Sequence, residues 1–101
     1  MRKIIVKKHT TDDGRVLLAM CDEDILGETF EEGEAVLDLA SDFYKGEAVE
    51  EEERSSMAED AYLINAAGKE SVGWLIGKGF AEEENIITIQ GVPNIQILIE
   101  K

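Results

Sequence analysis

The chain has 101 residues, 44% hydrophobic and 33% charged, which suits one globular domain over 1–101 and excludes a disordered chain. Ten basic residues face 23 acidic ones, for a formal charge of −13. Tight non-specific binding to free DNA or to an anionic membrane is therefore not expected.

Residues 2–8 read as a strand, with Ile4, Ile5 and Val6 between Arg2-Lys3 and Lys7-Lys8. The apolar patch is too short for a signal peptide, and no run of residues is long and apolar enough to span a membrane. The single Cys21 permits no internal disulfide, so a reducing cytoplasm is the expected compartment. Arg2, Lys3, Lys7 and Lys8 form a basic edge on an otherwise acidic chain. It reads either as protection of an edge strand or as a dock for an anionic partner.

Asp12-Asp13-Gly14 signals a hairpin turn, and 15–21 (RVLLAMC) is a strand apolar enough to be buried on both faces. Asp22 could cap a short helical turn that Gly27 ends in a left-handed conformation. Segments 29–31 and 35–39 flank a turn at Glu32-Gly33, with Leu37 and Leu39 on one side and Asp38 on the other. Phe43-Tyr44-Lys45-Gly46 reads as a corner, with two aromatics to bury and a Gly for a positive φ.

Glu50 to Glu53 is either the first turn of a helix or the loop before one. Ser56-x-x-Glu59 matches a capping box, and Met57, Ala61 and Ile64 share a helical stripe. A helix running to a stop at Gly68 is expected, then a second over about 69–78 that Gly79 ends. The pair would form an αα-hairpin. Strands at 85–90 and 95–100, joined by a turn at Gly91-Val92-Pro93-Asn94, complete the chain. Strands at both ends and helices between them predict an α+β fold: a mainly antiparallel sheet with a central αα-hairpin packed on one face.

No phosphate-binding loop, dinucleotide fingerprint or nucleophile elbow is present, and one His and one Cys supply no metal motif, so no cofactor or metal is expected. The acidic runs are consecutive, so their side chains diverge and chelate poorly. Cys21 reads as a small buried hydrophobe, His9 as a surface histidine; a hairpin turning at 13–14 puts His9 opposite about residue 18, away from Cys21. Asn65 reads as a cap holding the helical hairpin or as a group facing a ligand. Asn94 and Gln96, beside the rigid Gly91-Val92-Pro93, present amides that suit hydrogen bonding to a ligand.

Four segments in order, CDEDILG (21–27), FYKG (43–46), NAAG (65–68) and GVPNIQ (91–96), resemble those of a family of small archaeal proteins classed as a conserved domain of unknown function. The resemblance covers nearly the whole chain. It implies a His at the position of Asn94, where Asn leaves a hydrogen-bonding role but no proton shuttle or good metal ligand. It also implies an association with translation genes, and an archaeal setting fits the acidic, Glu-rich surface.

Two functional classes follow. One is a non-enzymatic accessory module for a protein or ribonucleoprotein partner of the translation or RNA–protein machinery, in contact through the basic edge and the 91–96 turn. The other is a small-molecule-binding protein or enzyme with a pocket from Cys21, Asp22, Asn65, Asn94 and Gln96. A homodimer through an edge strand is a third arrangement.

Overall fold

The computed structural model describes residues 3–99. It begins with the expected hairpin, β1 (Ile4–Thr10) and β2 (Val16–Asp22). Their register sets His9 against Leu17 and Cys21 against Ile5. In β2, Leu18, Ala19, Met20 and Cys21 are all inaccessible, as a strand covered on both faces requires.

A 3-10 turn at 23–25 ends at Gly27, whose φ of 95° is left-handed as the sequence suggests. The small hairpin β3 (Thr29–Glu32) and β4 (Ala35–Asp38) turns at Gly33 and buries Leu37 and Leu39. After a second 3-10 turn at 42–44 comes β5 (Glu47–Ala48), which pairs with Ile5 and Val6 of β1. Gly46 here does not serve a positive φ. It is needed for space, because a Cβ would lie 2.0 Å from the Val6 carbonyl oxygen.

The middle of the chain departs from expectation. The helix α1 spans Glu51–Asp60, so the glutamate run is its first turn and Ser56 lies mid-helix, not at a cap. Residues 63–67, expected as helix, form the strand β6 (Leu63–Ala67). There is therefore no αα-hairpin: β6 separates α1 from α2 (Lys69–Gly77). The stripe of Met57, Ala61 and Ile64 reflects an apolar run shared by two elements. A central strand covered on both faces reads as such a run, and helical spacing does not distinguish it. Gly68, expected to stop a helix, starts one instead. Gly79 ends α2 at φ 82°, as expected.

A 3-10 turn at 83–85 leads to β7 (Ile87–Ile89) and β8 (Val92–Leu98). The turn is Gln90-Gly91, both at positive φ (50° and 80°), and not 91–94. This is the two-residue hairpin geometry that matches strand twist. Pro93 thus lies inside β8, beside the end of β6, and its carbonyl accepts from the Gly68 amide at 2.8 Å.

The six strands run in the order β5-β1-β2-β6-β8-β7, antiparallel except for the parallel β2/β6 pair. Both helices cover one face. Ala58 of α1 and Val72 and Leu75 of α2 pack with Val6, Leu18, Met20, Ile64 and Ile95. The β3–β4 hairpin covers part of the other face, where Leu37 and Leu39 pack with Cys21, Ala67 and Ile89. Among the described residues no helix is long and apolar enough to cross a membrane.

Candidate functional site

Three distant segments meet where β2 and β6 end side by side and α2 begins. Asp22, the last residue of β2, is 2% exposed. It makes no cap bond to the turn that follows it. One carboxylate oxygen accepts from the Glu70 amide (2.9 Å), and the other from the amide and hydroxyl of Ser71 (2.8 and 2.7 Å). The sequence identified a capping residue but not its helix. Asp22 caps α2, 48 residues downstream, and the helix dipole reinforces the three bonds.

Gly68 makes this contact sterically feasible. Its φ is 107°, and a Cβ would lie 2.3 Å from the Asp22 carboxyl carbon. Its amide also donates to Pro93. Gly68 of NAAG therefore touches both Asp22 of CDEDILG and Pro93 of GVPNIQ.

Above this junction lies a cleft of about 290 Å³. Ile25 and Val92 give it apolar walls, and Asp24, Lys69, Gln90 and the backbone of Gly91 its polar lining.

The other expected site residues are placed differently. Cys21 is fully buried in the cluster under the β3–β4 hairpin and does not line the cleft. Burial, and after it the charges of Asp22 and Asp24, push its thiol from 9.0 up to about 12, the reverse of a nucleophile's environment. In the sheet, Cys21 is next to Ala67, and Ala67 next to Asn94. Cys21 and Asn94 are thus two strand spacings apart, roughly 10 Å, with Ala67 between them. The Asn94 amide donates to the Ile87 carbonyl at 2.9 Å, which locks β8 to β7.

Asn65 lies within β6, not at a helix end, directly opposite Gln96 of β8. By strand alternation both face the Cys21 side of the sheet. Asp22 faces the helices. The five candidates therefore divide between two faces and form no single pocket.

The basic edge is also divided. Arg2 lies outside the described residues. Lys3 lines a different cleft, beside Trp74. Lys7 and Lys8 are exposed at successive positions of β1 and so face opposite sides of the sheet. The terminal strand on that side is β5, not β1.

His9 contacts the Phe43 carbonyl at 2.9 Å through Nε2 and stacks on its ring at 4.6 Å, anchoring the FYKG corner. It lies four register pairs from Cys21. Among the described residues, no three His, Cys, Asp or Glu side chains are grouped to hold a metal ion. Sequence reasoning missed Gly68 as the junction, Ser71 as a partner of Asp22, and Arg54 and Trp74. Two glycine-ended motifs in register with an Asp were the available signal for the junction.

The fold and junction define a small α+β protein built on a mixed six-stranded sheet, with three of its four sequence motifs gathered at the ends of a parallel strand pair. The chain matches the family described as "Protein of unknown function (DUF424)" over residues 9–99, and belongs to it. The crystal structure of an uncharacterized conserved protein from Methanopyrus kandleri is similar to it, with a TM-score of 0.76 and 31% sequence identity. That similarity covers 98% of this chain and 95% of that one. No curated protein matches the chain.

Proposed function

We propose that the chain is a non-enzymatic binding module whose contact surface is the cleft above Gly68, and that its partner is a protein or ribonucleoprotein. The observation that carries this reading is the use made of Asp22. It is the buried carboxylate at the junction, and both its oxygens are occupied by α2. A group so bound serves to hold the end of β2 to the start of α2, where the Gly68 amide adds Pro93 to the junction, and not to act as a general acid or base. The shaped surface then consists of a few polar and charged side chains, backbone and two apolar walls, which suits a protein contact. Placing the partner in the translation or RNA–protein machinery rests on the family resemblance alone.

The competing pocket of Cys21, Asn65 and the 91–96 turn has only the turn at this cleft, because Cys21 is fully buried and Asn65, within β6, does not line it.

The test is affinity capture from an archaeal lysate at native salt, with and without RNase, using wild type and an Asp24→Arg/Gln90→Arg double variant. Stoichiometric recovery of ribosomal proteins or translation factors by wild type, lost in the variant, is the expected outcome. RNase sensitivity tells whether RNA bridges the contact. Equal recovery by the variant would sink the cleft, and recovery of the bait alone would sink the module. A Lys3/Lys7/Lys8→Glu variant with unchanged salt dependence would remove the basic residues from the contact.

A further inference from the structure

A different cleft, about 760 Å³ in volume, lies between the start of β1, the end of β5, the first turn of α1 and α2. Its centrepiece is Arg54 of α1. The guanidinium carbon lies 4.8 Å from the ring centroid of Trp74 on α2. Arg54 is half-buried, yet its side chain makes no ion pair or hydrogen bond with a described residue, and its Nε is buried without a partner.

The charge near Arg54 is the Glu51 carboxylate that Lys78 already binds, and a buried Nε with no partner leaves hydrogen-bonding capacity unused. A guanidinium laid on an aromatic ring has also lost much of its rotamer freedom before any ligand arrives. Its fork geometry matches carboxylate and phosphate oxygens.

The charge lining this cleft is balanced, where the chain as a whole is strongly acidic. Lys3 and Lys69 line the same cleft. Of the lining acids, Glu51 is bound to Lys78 at 2.5 Å, and Lys78 foremost, with a smaller contribution from Arg54, holds its carboxyl below the usual carboxylate range. Glu50 and Glu70 are exposed and in no ion pair with a described residue. Three cations and three carboxylates therefore line the cleft, one of the carboxylates already bound by Lys78, on a chain of net −13.

We propose that this cleft binds a small organic anion through a carboxylate or phosphate group, gripped by the Arg54 fork and flanked by Lys3 and Lys69. The volume suits a ligand of metabolite size. The site shares Lys69 with the cleft above Gly68 and is otherwise lined by different residues, and its fluorescence test does not depend on a macromolecular partner.

Trp74 is the chain's only tryptophan, so fluorescence excited selectively at tryptophan, beyond the absorption of the two tyrosines, reports on this wall. Inorganic phosphate and succinate are titrated into the full chain through the millimolar range, against sodium chloride at matched ionic strength. A saturable change with phosphate, succinate or both, and none with chloride, is expected; which anion acts tells which head group is preferred. Arg54→Gln should weaken the response about tenfold or more, as loss of a charge-assisted bidentate contact does. The exposed Lys69→Gln should weaken it about threefold and decides the matter if the Arg54 variant does not fold. Absence of a response, an equal response to chloride, or unchanged affinity in every folded variant would overturn the proposal.

Discussion

At the scale of single residues, Asp22 and Gly68 depend on each other. Replacing Asp22 by Ala leaves the Glu70 and Ser71 donors buried or half-buried without their acceptor. The expected loss is about 3 kcal/mol, with Asp22→Asn losing less because one oxygen remains. Gly68→Ala should cost at least as much, since it combines a left-handed φ with a clash against the carboxylate. Urea unfolding midpoints measure all three, and a wild-type midpoint for Asp22→Ala would refute the capping role. Cys21 gives a second prediction. With its thiol held near 12 against 9.0, the folded chain keeps a proton that the unfolded chain loses. Stability is therefore intact below pH 9 and falls as pH rises from 9 towards 12, by up to about 1.4 kcal/mol per pH unit from this group. Native protein at pH 8 should not react with a thiol-specific disulfide reagent, and unfolded protein should. Rapid labelling of the native state would contradict the burial.

At the scale of elements, the β7–β8 turn sets the position of the cleft lip. Gln90 holds φ 50°, a conformation that Asn and Gly adopt more readily, while its backbone N–H donates to a Glu32 carboxylate oxygen at 3.0 Å. Gln90→Asn should thus raise stability by about 0.5 kcal/mol, and Gly91→Ala should lower it by about 1 kcal/mol. Thermal midpoints of the two variants should move in opposite directions; a shared direction would contradict a turn with two left-handed residues. The β1–β2 hairpin, the β3–β4 hairpin and α2 were legible because turn chemistry, period and stop residues agreed there. The segment 61–67 was not. Its apolar run fits a helix stripe and a doubly covered strand alike, and only the available partners, β2 on one side and β8 on the other, select the strand. The 91–94 turn was displaced to 90–91 for a similar reason: Gln at a left-handed position gives no local signal, and Pro in a strand usually argues against one.

At the scale of the whole molecule, the excess of acidic over basic residues dominates. Self-repulsion at a net charge of −13 opposes compaction, and salt screens it over a distance of about 10 Å at 0.1 M. The thermal midpoint should therefore rise by several degrees between 0.05 and 1 M potassium chloride, as followed by circular dichroism. A flat or falling midpoint would mean that the negative charges are held apart or already paired. The sheet is bounded by β5 of two residues and β7 of three, short edges that limit strand-to-strand association.

Local chemistry determined the fold class, the hairpins, the burial of β2 and the left-handed glycines at 27 and 79. These depend on alternation, on turn residues and on the absence of a Cβ, all of which act over a few positions of chain. The tertiary structure alone decided that 63–67 is a strand, that Asp22 caps a helix 48 residues away and that Arg54 lies on Trp74. It also divided Cys21, Asn65, Asn94 and Gln96 from Asp22 by the thickness of the sheet. Each of these depends on which surfaces meet, and a residue's partner across the core leaves no periodic trace in the sequence around it.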